Sequence, residues 1–357
     1  MIDAKTFALY ETQLLDTARS LYKLDGHTLT ALEGHEGGWN RLYRCDREGI
    51  TCCMLRVALR EDRGREAYLA ETDFIRYLCD AGADVANVFA SINGNLTEPV
   101  RCGAVECHLA LFERAKGMQL AENGYRYRDG VPLPVFFHDC GKTLGRIHRL
   151  SRDYRSTHRR WDFFDQFNAA TIERTIPASL SRLQERLLIL VDELATLPRD
   201  PSVYGLLHFD FNDGNFHIDY ETGRLTVFDF DNTCTGWYMF DLASLWLSGM
   251  GWTQFEPDAG KRHAFMDAYF VSVLEGYRSE MDVDESLLAQ LPLFIQANLM
   301  ESVMDAFDGM RQNGEEPVCD DEMAYRIRCL EDNVPYNGFF HEMYSVDAPF
   351  TAEEREL

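Results

Sequence analysis

The sequence predicts an α+β protein of two lobes: a small antiparallel sheet with one inserted helix, then a larger, mostly helical part. Three observations carry this. Short strand-like runs punctuated by glycines fill the first hundred residues, helical periodicity dominates after "FERAKG" (Phe112 to Gly117), and a polar loop and one hairpin interrupt those helices between residues 204 and 231.

Taken in order, the first ~20 residues form a helix, with Phe7, Leu14, Leu15 and Ala18 near helical spacing. The runs "HTLTAL", "RLYRC" and "ITCCMLRVAL" read as strands, separated by Gly34, Gly37, Gly38 and Gly49 as hairpin turns require. A helix from about Arg63 to Leu78 ends at "DAGAD". "ANVFASI", a turn at "NGN", and "VECHLALFE" complete the sheet. Helices follow over about 133–150, 176–197, 259–279, 284–312 and 319–331, with the intervening hairpin turning at "ETGR". The expected boundary lies at a hinge near residues 112–117, with a nucleotide-binding lobe over 1–113 and a catalytic and acceptor-binding lobe over 114–357.

In 357 residues, a hydrophobic fraction of 46% and an aromatic fraction of 12% support a globular core. No run reaches the ~18 apolar residues of a membrane span. The N-terminus has early acidic residues and no apolar secretory core, so a cytoplasmic protein with no membrane partner is expected. The ten cysteines form no C-x-x-C and no zinc spacing, and read as reduced thiols. Net charge is −24, from 59 acidic against 35 basic side chains; this disfavours nucleic acid, and it reads either as plain solubility or as attraction for a cationic small molecule.

The chemistry concentrates in "HFDFNDGN" (His208 to Asn215) and "LTVFDFD" (Leu225 to Asp231). Phosphoryl transfer needs a carboxylate at the attacking hydroxyl and oxygen ligands for the metal on the phosphates. Asp210 is the candidate base. Asn215 and Asp229 are the candidate magnesium ligands, both hard oxygen donors. His208 belongs to the same catalytic loop and is expected to hold it by hydrogen bonds. Arg56 is the one charge in an apolar strand and shares a face with Cys52, Met54 and Ala58. Glu71 falls inside the helical stripe Ala67, Phe74, Leu78, where it would pair with Arg56 and set a positive group on the nucleotide phosphates. "GHEGGWN" places Gly37 and Gly38 where backbone N–H groups approach phosphates closely, although no Walker motif is present. Asp241 opens a helix, either as its cap or as a brace beneath the catalytic loop. Asp231, Trp237 and Tyr238 would border the acceptor pocket. The acceptor is expected to be set by the helical region after Asp241, where Glu301 and Asp305, four apart on a helix, read either as groups at the acceptor or, more plainly, as a solvated face.

The segments "YGLLHFDFNDGNFHID" and "LTVFDFDNTCTGWYMFDLA" resemble the aminoglycoside phosphotransferase and choline kinase-like group, which has a protein-kinase-like fold. The branch of type II homoserine kinases and bacterial stress-response Ser/Thr kinases is the most similar. The resemblance covers most of the chain. "GGWNRLY" matches the glycine-rich loop, "CMLRV" the nucleotide-binding strand, "AETDFIRYLCDAG" its paired helix, "LALFERAKG" the hinge and "GKTLGRIHRL" the helix after it. It implies ATP as donor, magnesium as metal, and adenine contacts near Phe112, Glu113 and Arg114. Two departures stand out: Phe209 where the group usually has Gly, and Arg56 where it usually has Lys.

The expected function is ATP-dependent, magnesium-requiring transfer of a phosphoryl group to a hydroxyl of a small acceptor: an amino alcohol, an amino acid or an aminoglycoside-like compound. The alternatives are a protein Ser/Thr kinase of the stress-response type and a non-catalytic nucleotide-binding module.

Overall fold

A computed structural model describes residues 4–32, 40–59, 63–103, 105–254 and 256–338. The chain begins α1 (Ala4–Tyr22), β1 (Thr28–Ala31), β2 (Asn40–Arg47), β3 (Ile50–Ala58), α2 (Arg65–Asp80), β4 (Val88–Phe89), β5 (Glu98–Cys102) and β6 (Val105–Glu113). It continues α3 (Leu133–Asp153), α4 (Phe163–Gln166), α5 (Ala169–Thr175), α6 (Ser181–Ala195), β7 (Tyr204–Leu206), β8 (Phe216–Ile218), β9 (Leu225–Val227) and β10 (Thr235–Trp237). It closes with α7 (Tyr238–Trp252), α8 (Ala259–Arg278), α9 (Glu285–Leu288), α10 (Leu291–Asn313) and α11 (Asp321–Glu331). Two units emerge, one drawn from Met1–Met118, Tyr154–Arg160 and Phe216–Asp231, the other from Gln119–Asp153, Trp161–Asn215 and Asn232–Leu357.

The first unit holds the sheet, in the order β1-β2-β3-β6-β4 with β5 also on β6, every pair antiparallel. Glu48 and Gly49 both sit in the left-handed region (φ 53° and 80°), as a two-residue hairpin turn between β2 and β3 requires. Strand alternation then separates the two faces. Tyr43, Cys45, Cys53, Leu55, Val57, Cys107, Leu109 and Leu111 are buried together with Phe7, Leu14, Ala18 and Tyr22 of α1. The opposite face of β3 carries Arg56, and α2 buries Ala67, Glu71, Phe74 and Leu78. The hairpin β8–β9 joins this unit through bridges of Val85 to Val227 and Met118 to Ile218.

Two elements differ from expectation. "ANVFASI" pairs only over Val88–Phe89, and β5, whose Glu-Pro start reads poorly as a strand, adds to β6 at the register Glu98 to Leu109.

The second unit is built on α3 against α8, which meet backbone to backbone. A Cβ added at Gly141 would lie 1.9 Å from the carbonyl oxygen of Val273, and one at Gly276 would lie 1.8 Å from that of His138. Only glycine permits so close an approach. An aromatic core of Phe163, Phe209, Trp237, Phe240 and Phe294 fills the space between β10, α4, α7 and α10.

Candidate active site

The loop after β7 is held by one buried carboxylate. Asp241, in the first turn of α7, has no exposed surface. Its Oδ2 accepts the N–H of His208 at 2.9 Å and its Oδ1 that of Phe209 at 3.0 Å. His148 Nε2 lies 3.0 Å from Oδ2, and His148 Nδ1 lies 2.8 Å from the Tyr277 hydroxyl. The buried carboxylate is thus compensated by hydrogen bonds on both oxygens. Trp237, not Asp241, occupies the cap position of α7, so Asp241 is the brace of the loop.

That brace supports a strained residue. Phe209 has φ 74°, a region costly for a bulky side chain. Its ring stacks on Phe240, with centroids 4.5 Å apart and planes 4° from parallel. His208 is fully buried, and its Nδ1 accepts the N–H of Asp210 at 3.3 Å, which ties ring to loop.

Asp210 is half-buried and held from two sides. Its Oδ1 accepts Asn212 Nδ2 at 2.6 Å, and its Oδ2 accepts Asn215 Nδ2 at 2.9 Å. Asn215 Nδ2 also reaches the Asp210 carbonyl at 2.8 Å. With its amide nitrogen so engaged, Asn215 keeps Oδ1 as the atom suited to a hard cation. Asn212 was not singled out from the sequence. Its signal is the "NDG" turn, where Asn212 Oδ1 accepts the Gly214 N–H at 2.8 Å.

Glu301 on α10 corrects the expectation of a solvated face. It is half-buried, and desolvation first, then the charges of Asp305 and Asp210, push its carboxyl up to about 8, against an opposing pull from Arg326. Asp305 itself is exposed.

In the first unit, Arg56 and Glu71 pair bidentately, with both N–O distances 2.7 Å and both residues buried. The guanidinium carbon also lies 4.9 Å from the Phe112 ring centroid. Burial works against the Arg56 charge, but Glu71, Asp231 and Asp229 outweigh it and hold the guanidinium more firmly protonated than usual. Asp229 follows β9 with φ 64° and sits close enough to act on Arg56. Phe112 and Glu113 end β6, and the Glu113 N–H is taken by the Asn87 carbonyl at 2.7 Å. Arg114 is exposed just beyond. Gly37 and Gly38 lie outside the described residues.

The three residues expected at the acceptor pocket are placed differently. Trp237 has no exposed surface, and its Nε1–H donates to the Pro198 carbonyl at 2.8 Å: it is a core side chain. Tyr238 is 3% exposed, behind the His148 ring at 4.7 Å. The Asp231 carboxylate is occupied by Asn40 and Arg63. Closeness in sequence to the candidate metal aspartate suggested a pocket border, but here all three side chains are buried.

Among the described residues no helix is long and apolar enough to cross a membrane. The profile of the phosphotransferase enzyme family matches residues 32–281. Amicoumacin kinase of Bacillus subtilis (strain 168) is 25% identical over 338 residues, 92% of this chain and 95% of that protein. A solved amicoumacin kinase, hAmiN in complex with AMP-PNP, Ca2+ and Ami, aligns with TM-score 0.76 and 25% identity over 93% of this chain and 96% of its own. A microcompartment-associated aminopropanol kinase shares the fold, at TM-score 0.64 and 20% identity over 90% of this chain and 94% of its own. The α+β fold is that of the protein-kinase-like phosphotransferases, as the sequence led us to expect.

Proposed function

Because the chain belongs to the phosphotransferase enzyme family, and is therefore a kinase-type transferase, we propose that it moves the γ-phosphoryl group of ATP to a hydroxyl of a small, cationic acceptor. The observation that carries the reading is the Asp210 carboxylate, oriented by Asn212 and Asn215 on a loop whose backbone Asp241 pins. A carboxylate so fixed can accept the proton of an attacking hydroxyl and aim its oxygen at phosphorus. His208 keeps the loop in register and takes no proton in this scheme.

Arg56, supported by Glu71, is the proposed phosphate cation, and the backbone near Phe112, Glu113 and Arg114 the proposed adenine contact. Asn215 Oδ1 and the Asp229 carboxylate are the proposed magnesium ligands, a donor set of hard oxygens that fits this ion. When bound, the metal offsets negative charge on the phosphates. A cationic acceptor is supported by the charges of Asp210 and Asp305, which together disfavour ionisation of Glu301 and would be offset by an ammonium there, and by the net charge of −24. The named relatives act on amicoumacin and aminopropanol, which agrees with a small acceptor.

The test is phosphate transfer from labelled ATP to amicoumacin, 1-amino-2-propanol and choline. At least one should be phosphorylated, and Asp210→Asn should lower kcat by about 10²–10⁴-fold. Equal rates in parent and variant would remove Asp210 from the role of base.

A further inference from the structure

Asp231 sits two residues beyond Asp229, and its surroundings are unusual for a residue after a strand. Its carbonyl oxygen accepts hydrogen bonds from two buried guanidinium groups, Arg63 Nη1 and Arg160 Nη2. Its carboxylate accepts Asn40 Nδ2 at 2.9 Å and faces Arg63 Nη1 at 3.1 Å. Arg160 Nη1 meanwhile donates to the Ala67 carbonyl at 2.8 Å, in the first turn of the helix that carries Glu71. Asn40 opens β2 opposite Ala58 of β3, two residues from Arg56. All of these residues belong to the first unit.

Both lone pairs of one carbonyl are thus used by cations, and the neighbouring carboxylate offsets their charge. Burying two guanidinium groups on a single peptide unit is expensive, and the Asp231 carboxylate and the Ala67 carbonyl offset part of that cost. The backbone these groups hold includes Asp229, whose φ of 64° would relax if the chain were free to move. We infer that Arg63 and Arg160 are positioning residues for Asp229: they clamp Asp231, and through it set where the Asp229 carboxylate points. Through Ala67 and Asn40 the clamp ties that carboxylate to α2 and β2, hence to the Arg56–Glu71 pair. Metal ligand and phosphate cation are then fixed by one network, with Asp231 its shared member and no part of the acceptor site. The inference rests on the proposed metal role of Asp229.

The test needs no acceptor. The thermal shift produced by AMP-PNP is titrated with MgCl2 in the full chain and in Arg63→Met, Arg160→Met, Arg160→Lys and Asp229→Asn. Loss of a group that orients a metal ligand commonly weakens metal binding by about 10–100-fold. Both methionine variants should therefore need at least about tenfold more Mg2+ for half the shift, while AMP-PNP binding in EDTA stays within about twofold of the parent. Arg160→Lys, which keeps the charge but cannot span Ala67 and Asp231 together, should fall between. It also carries the test if Arg160→Met does not fold. A residue serving only stability would lower the ligand-free Tm and leave the Mg2+ midpoint unmoved, and that result overturns the inference. Asp229→Asn separates the two readings. If it abolishes Mg2+ dependence while the arginine variants match the parent, the clamp alone is wrong; if it keeps the parent's Mg2+ dependence, the metal assignment falls and takes the clamp with it.

Discussion

Asp241 Oδ1 accepts the backbone N–H of Phe209 at 3.0 Å, which anchors a phenylalanine in the left-handed region of backbone space. The resemblance read from the sequence implies glycine at this position, and a φ of 74°, where a Cβ is unwelcome, gives a physical reason for it. This chain keeps its Cβ and offsets the strain by stacking the ring on Phe240.

Phe209→Ala should therefore be worse than Phe209→Gly. Both lose the stacked ring, but alanine retains the backbone strain and glycine does not, so we expect glycine to be the more stable by about 1 kcal/mol. That order is the reverse of the usual one outside positive φ. Urea denaturation of the two variants reads the difference, and an alanine variant at least as stable as the glycine one would show that the strain is not there.

The Arg56–Glu71 pair makes a second prediction. Glu71→Ala leaves a buried guanidinium without its main partner and should cost about 3–5 kcal/mol. Replacing both, as Arg56→Met with Glu71→Met, should cost clearly less than the sum of the single changes, because neither charge is then stranded. AMP-PNP binding should be lost in every variant lacking Arg56, however stable. Strict additivity in a double-mutant cycle would mean the two side chains do not depend on each other.

What was legible in the sequence were residues whose type is unusual for their place. Arg56 in an apolar strand and Glu71 in an apolar stripe each announce a missing partner, and the structure supplies each with the other. The pairing of Asp210 with Asn215 follows from short loop spacing alone, whereas Asn212, by type, reads only as a turn residue. The arginine clamp was not legible. Arg63 and Asp231 are 168 residues apart, and part of the contact is to a main-chain carbonyl, which every residue possesses and which leaves no trace in sequence. Trp237 and Tyr238 misled for the opposite reason: they follow the proposed metal aspartate closely in sequence, yet at the junction of β10 and α7 both side chains turn into the core. Glu301 misled because an acidic pair four apart usually faces water, and only tertiary packing half-buries one member and exposes it to the charge of Asp210.

Glu301 gives the last prediction through its proton. In the folded chain its carboxyl keeps that proton up to about pH 8, against an ordinary value of 4.5 in the unfolded chain. Between these values the folded state binds more protons than the unfolded one, so this group's contribution to stability falls as pH rises from 4.5 to 8. Glu301→Gln mimics the neutral acid and removes that slope. The variant should match the parent near pH 5 and exceed it above pH 8, by about 2–4 °C in Tm for each 1 kcal/mol recovered. A cationic acceptor should act in the other direction, since an ammonium beside the carboxylate favours its charged form. Affinity for such an acceptor should then strengthen from pH 7 to 9 in the parent and stay flat in Glu301→Gln. Tm curves for the two proteins that run parallel across this range would show that Glu301 titrates as an ordinary carboxylate, and equal acceptor affinities in the two proteins would show that it has no part in reading the acceptor's charge.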